Sequence, residues 1–191
     1  MNIGIVVEGA DDYWTYPALA KRIRMDIGRL QIRECGGKSR LKGRFPGFLK
    51  EFQNPAWQIE RAFVIRDSDC NPPKPIEEQL RSMLNASGRP PGLRVEFFAV
   101  PCMLESWLLS DLHSIREIAG RRGHAAPVRD LGFQIATMQS SDDKELFSRV
   151  LAHFSLPATP AVYKEIAESI DFTAIGRRCA YFEEFARRIR A

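Results

Sequence analysis

The chain is poor in the residue groupings that announce most enzyme chemistries. It has three histidines among 191 residues, His113, His124 and His153, and they are scattered. Neither the His-Glu-x-x-His helix of a zinc hydrolase nor a nucleophile triad can be assembled from neighbours in the sequence. There is no Gly-x-Ser-x-Gly elbow, no P-loop and no GxGxxG, so acyl-transfer, nucleotide-hydrolysing and dinucleotide-dependent activities lose their usual support. The four cysteines, Cys35, Cys70, Cys102 and Cys179, form no CxxC pair and stand at no zinc-finger spacing. That usage predicts a reduced, cytoplasmic protein with small buried thiols rather than a disulfide scaffold. No apolar run approaches the length of a membrane span, and Met1 to Val7 meets Glu8 too soon for a signal peptide, so no membrane partner is expected. Internal repeats and low-complexity tracts are also missing. Hydrophobic and charged contents of 45% and 27% are those of a globular domain, and the formal net charge of +4 is modest.

What the chain does contain is a recurring unit: a short apolar run that ends at an acid. Ile3 to Val7 leads into Glu8-Gly-Ala-Asp-Asp12, Ala62 to Ile65 leads into Asp67-Ser-Asp69, and Val95 to Val100 leads through Pro101 to Glu105. Continuous runs of β-branched and aromatic residues suit parallel strands covered on both faces. Leu30 to Glu34 is a weaker fourth strand. Between them lie helical patterns, marked by Leu19, Ile23 and Ile27 before Gly28, by Phe45, Phe48, Leu49 and Phe52, and by Ile76, Leu80, Met83 and Leu84. Pro17 fits only a first helical turn, so the first helix is expected to begin irregularly or at Thr15. This alternation predicts an α/β fold, a mostly parallel sheet flanked by helices over residues 1–119. Residues 120–191 read as a helical extension packed on that core, with a basic, glycine-containing connection over 120–139 and apolar stripes at Leu146, Val150, Leu151 and Phe154, at Val162, Ile166 and Ile170, and at Phe182, Phe185 and Ile189.

In open α/β sheets ligands bind at the carboxyl ends of the strands, where these acids fall. If Asp67 and Asp69 continue an extended strand they point the same way, and two such carboxylates repel unless a cation lies between them. Mg²⁺ or Mn²⁺ is the expected cation, because hard ions take one or two carboxylates and complete their shell with water and phosphate oxygens. A turn over Asp67-Ser-Asp-Cys-Asn-Pro-Pro73, with side chains bonded to their own backbone, is the alternative. Glu105 stands in an apolar neighbourhood, where a carboxylate is costly unless paired or bound to metal. Asp12 and Asp111 are open to two roles, metal ligand or helix cap. Lys38, Arg40, Lys42 and Arg44 recur at every second position; in an extended segment they share a side and can contact successive phosphates, while a solvated basic loop is the alternative.

Glu8-Gly-x-x-Asp12 after the first strand and Asp67-x-Asp69 after a later one resemble, in order, spacing and strand context, the two signature motifs of the Toprim domain found in topoisomerases, bacterial primases and OLD-family nucleases. Pro101 to Asp111, Tyr163-Lys-Glu-Ile-Ala and Cys179-Ala-Tyr-Phe-Glu-Glu-Phe look like the corresponding segments of small stand-alone Toprim-like proteins, so the resemblance spans nearly the whole chain. It implies Glu8 as a metal ligand or proton-transfer group, Asp12, Asp67, Asp69 and Glu105 as metal ligands, and Lys164 as a lysine that stabilises phosphate charge. It also implies a partner resembling an ABC/SMC-type ATPase and a link with phage defence. The tyrosine context of a topoisomerase and the accessory segments of a primase are missing.

The expected function is therefore a Mg²⁺- or Mn²⁺-dependent phosphodiesterase acting on DNA or RNA, its metals held by Glu8, Asp12, Asp67, Asp69, Glu105 and Asp111 and its phosphates by Lys38, Arg40, Lys42, Arg44 and Lys164. Two metals stabilising the attacking and leaving oxygens of an in-line displacement require about this many acids. A non-catalytic subunit that binds nucleic acid or an ATPase is one alternative. A haloacid-dehalogenase-type phosphatase, which also uses Asp-x-Asp after a strand, is another.

Overall fold

The computed structural model describes residues 1–124 and 142–191. Four strands, β1 (Asn2–Val7), β2 (Arg29–Glu34), β3 (Arg61–Asp67) and β4 (Arg94–Val100), form one sheet in the order β2-β1-β3-β4. Every pairing is parallel, with Ile5 opposite both Ile32 and Phe63 and Asp67 opposite Val100. Among the described residues nine helices accompany it: α1 (Ala10–Ile23), α2 (Lys38–Glu51), α3 (Pro73–Ser87), α4 (Leu104–Leu108), α5 (Leu112–Arg121), α6 (Asp143–His153), α7 (Pro160–Ser169), α8 (Phe172–Arg178) and α9 (Ala180–Arg190). The α/β architecture read from the sequence is the observed one. Most of the connection expected over 120–139, and Ser140 and Ser141, lie outside the described residues.

Successive residues of a strand face opposite sides, and the sheet uses both. Ile3, Ile5 and Val7 join Phe63, Ile65, Phe98 and Val100 in a core shared with α1 and with α4 to α9, centred on Trp107, Phe182 and Phe185. Val6, Ala62, Val64, Val95 and Phe97 face the other way, onto α2 and α3, against Phe45, Leu49, Phe52 and Leu80. Gly4 also lies in β1, where a Cβ atom would stand 2.4 Å from the Phe52 ring; glycine is the residue that lets this aromatic ring press on the strand.

Three sequence expectations are corrected here. α1 runs without interruption through Pro17, because the packing of Tyr16, Leu19 and Ala20 outweighs the one backbone bond that proline removes. It begins at Ala10, where the Asp12 side chain accepts from the Gly9 amide at 3.1 Å, and ends at Ile23, short of Ile27. The basic segment is not extended: Lys38 to Arg44 is the start of α2, since Leu41, Phe45 and Leu49 bury one helical stripe that reaches back beyond the aromatic residues. Alternation by two becomes two pairs at i,i+4 on a helix, Lys38 with Lys42 and Arg40 with Arg44, rather than one row. Finally, Cys70 and Cys102 are joined as a disulfide across 32 residues, while Cys35 and Cys179 remain buried thiols. The loops after β3 and β4 bring the two sulfurs together, with the Asp69 amide donating to the Cys102 carbonyl at 2.9 Å and the Cys102 amide to Ser68 Oγ at 3.0 Å.

Candidate functional site

The chain moves outward from β1 to β2 and then crosses back to β3 on the other side, so β1 and β3 flank the place where the strand order reverses. Their carboxyl ends mark the position at which open α/β sheets bind ligands. Glu8 follows β1 and Asp67 closes β3. Asp12 enters from the first turn of α1, one turn beyond Glu8. Glu105 enters from α4, whose amino end is tied to β3 by the Leu104 amide donating to Asp67 Oδ1 at 3.1 Å.

All four carboxyls are raised, first by burial, and Asp12 and Asp67 also by the other acids. Asp67 is held well above the usual carboxylate range by burial and then by the charges of Asp12, Glu105, Glu8 and Asp69. Asp12 is pushed up to about 7 by burial and by Glu8, Glu105 and Asp11, against the lowering effect of its bond to the Gly9 amide. Glu8 and Glu105 are also raised, chiefly by burial. Mutual repulsion of this kind is what a bound cation relieves.

Side chains that the sequence reading did not single out complete the site. Arg66, 5% exposed, lies with Nε 3.3 Å from Glu8 Oε1 and donates to the Asp67 carbonyl at 3.1 Å. Tyr163 Oη donates to Glu105 Oε1 at 3.1 Å, and Lys144 Nζ stands 3.9 Å from the same oxygen. Tyr16 is buried, and burial together with Asp67, Asp12, Glu105 and Glu8 raises its hydroxyl well above the ordinary tyrosine value. Arg66 was legible as a charge inside an apolar strand, which demands a partner, and Tyr16 as the residue at i+4 from Asp12. Tyr163 lies 58 residues from Glu105 and carries no such signal.

The remaining expected residues go elsewhere. Asp69 has φ +48°, a left-handed conformation that ends the extended run, so its carboxylate does not repeat the direction of Asp67 but turns outward to an ion pair with Lys38. Asp111 caps α5. It accepts from the amides of His113 and Ser114 at 3.1 and 3.2 Å, from Ser114 Oγ at 2.6 Å and from the Asp171 amide at 2.8 Å. Burial would raise its carboxyl, but these four bonds prevail and lower it, and they leave it outside the acidic group. Lys164 Nζ lies 5.8 Å over the Trp14 ring and 3.6 Å from Glu168. Arg44 donates to the Cys35 carbonyl at 3.0 Å, whereas Arg40 and Lys42 are exposed.

A divalent cation fits this donor set in kind. The donors are hard carboxylate oxygens; Tyr16 Oη is buried with no hydrogen-bond partner among the described residues, a state that is expensive to maintain, and Glu8 Oε1, likewise without a hydrogen bond, is met only by the Arg66 ion pair. Among the described residues no three His, Cys, Asp or Glu side chains converge closely enough to cage an ion between them. The set therefore suits an ion of the Mg²⁺ type, which takes one or two carboxylates directly and retains water, rather than one that needs an all-protein cage.

No protein-family model and no curated protein matches the chain. Among solved structures it is similar to the C-terminal region of the Burkholderia pseudomallei OLD protein, with 13% identity, a TM-score of 0.47, and coverage of 96% of this chain and 98% of that one. No helix among the described residues is long and apolar enough to cross a membrane.

Proposed function

We propose that the protein is a divalent-metal-dependent phosphodiesterase acting on nucleic acid. The observation that carries this reading is the gathering of Glu8, Asp12, Asp67 and Glu105 from four different elements at the strand-order reversal, where burial raises all four and the charges of the others raise Asp12 and Asp67 further. One or two of those carboxylates would hold Mg²⁺ or Mn²⁺ directly and the others would face its water shell. Bound there, such an ion supplies charge stabilisation on the attacking and leaving oxygens of an in-line phosphoryl displacement. The protein's own groups prepare the place. Arg66 steadies Glu8, the Leu104 amide fixes one oxygen of Asp67, and the Tyr163 hydroxyl orients Glu105. Lys38, at the rim on the first turn of α2, is within reach of a phosphate once it leaves Asp69, and exposed Arg40 and Lys42 extend the positive surface.

The test is cleavage of labelled single- and double-stranded DNA and RNA in Mg²⁺, Mn²⁺ or EDTA by the wild type and by Asp67→Ala. Metal-dependent cutting lost in the variant supports the reading and identifies the substrate. A folded protein that binds no Mn²⁺ would overturn it. A second reading, a cation-binding module that senses nucleic acid or an ATPase partner without cutting, is favoured by one feature, the failure of any three ligating side chains to converge among the described residues. It predicts Mn²⁺ binding with no cleavage. The phosphatase alternative needs two aspartates facing one phosphate, and Asp69 is turned to Lys38 instead.

A further inference from the structure

At the opposite edge of the sheet lies a cavity of about 440 Å³ with a different chemistry. Five arginines line it, Arg81 from α3, Arg89 from the loop that follows, Arg94 from the start of β4, and Arg187 and Arg188 from α9, against three glutamates. Arg94 begins β4 beside Arg61 at the start of β3. The six steps of β3 from Arg61 to Asp67, at roughly 3.3 Å each, put the cavity floor roughly 20 Å from the acidic site.

The three acids do not neutralise this cluster, because two are shared and the third has a second task. Glu184 receives both Arg187 and Arg188 at 2.7 Å. Glu96 receives Arg94 at 3.2 Å and also Arg61. Glu77 meets Arg188 at 3.3 Å while accepting the Ala99 amide on the open edge of β4. Among the described residues Arg81 and Arg89 meet no carboxylate; Arg81 lies 5.7 Å over the Phe97 ring. Arg61, 4% exposed, adds a further cation beside the cavity, with Nε and Nη1 lacking any hydrogen-bond partner among the described residues.

We propose that this cavity binds a small polyanion of the triphosphate class. Guanidinium groups are planar forks that match phosphate oxygens two at a time and stay charged at any physiological pH. Here they come from two helices, a strand and a loop around one concavity, so a single ligand with several closely spaced phosphates can engage them together. Of the apolar lining residues, Val95 and Phe97 are buried and Ala191 is exposed. No exposed aromatic face is offered to a base, and recognition rests on the phosphates. A bound ligand would tie α9 to α3 across β4 and so stabilise the fold.

Isothermal titration with inorganic triphosphate, in EDTA so that no metal bridges it to the acidic site, tests the proposal. The wild type is expected to bind one equivalent with a rise in melting temperature. Arg81→Ala/Arg89→Ala, which changes two exposed side chains, is expected to weaken binding at least tenfold, and Asp67→Ala to leave it unchanged. ATP and inorganic triphosphate should bind within a few-fold of each other. Equal binding by the double arginine variant, an equal loss on Arg40→Ala/Lys42→Ala, or no binding at millimolar triphosphate would overturn it.

Discussion

Burial, with the charges of neighbouring acids, makes Asp12 a destabilising group in the metal-free protein. Asp12 is raised from 3.8 to about 7, first by burial and then by Glu8, Glu105 and Asp11. A carboxyl whose folded pKa lies above its unfolded value exerts no penalty below pH 3.8, where it is protonated in both states. The penalty grows between about 4 and 7 and is complete above 7. At 1.36 kcal/mol per unit, three units amount to on the order of 4 kcal/mol at pH 8. Asp12→Asn keeps an oxygen to accept from the Gly9 amide and removes the charge, so in EDTA it should be more stable than the wild type at pH 8 and equal to it near pH 4. For a chain of this length 1 kcal/mol moves the melting temperature by about 2–4 °C, so the gain approaches 8–16 °C. Thermal melts followed by circular dichroism at the two pH values, with and without Mn²⁺, read it directly. Mn²⁺ should raise the wild type more than the variant. A variant no more stable than the wild type at pH 8 in EDTA, or one whose advantage persists at pH 4, would refute the electrostatic account of the site.

Three further outcomes follow from the packing. Gly4→Ala should destabilise by about 1–3 kcal/mol in urea unfolding, because the new Cβ meets the Phe52 ring at 2.4 Å, and Phe52→Leu should recover part of that loss. Asp111→Ala should lose about 1–3 kcal/mol through its capping bonds, yet leave Mn²⁺ affinity at the acidic site unchanged; a large fall in affinity would restore Asp111 as a ligand. Alkylation and mass spectrometry of the unfolded, unreduced protein should find two alkylated cysteines, Cys35 and Cys179, and reduction should lower stability by about 3–4 kcal/mol, the loop-closure value for a 32-residue separation.

Much of the architecture follows from sequence alone because strand burial is a local pattern. Ile3 to Val7, Ala62 to Ile65 and Val95 to Val100 are apolar on both faces, and that is possible only between two layers of helix. The placement of Glu8, Asp67 and Glu105 at or just beyond strand ends is equally local, and it identified the edge of the sheet that carries the acids. The basic segment misled because alternation by two is a strand signal only if no helical stripe overrides it. Leu41, Phe45 and Leu49, four apart, did so once β1 and β3 supplied a surface to bury them. Asp69 was decided by a left-handed turn beside Lys38, whereas Asp111 took the cap role already open from sequence, through three local bonds from His113 and Ser114, with the Asp171 amide from 60 residues away adding a fourth. The pairing of Cys70 with Cys102, the Tyr163 bond to Glu105 and the ring of arginines around β4 are likewise meetings of segments distant in the chain. Sequence determined which residues carry charge and which strands are buried; only the packing of helices on the sheet decided which charges share a site and which are neutralised before they reach it.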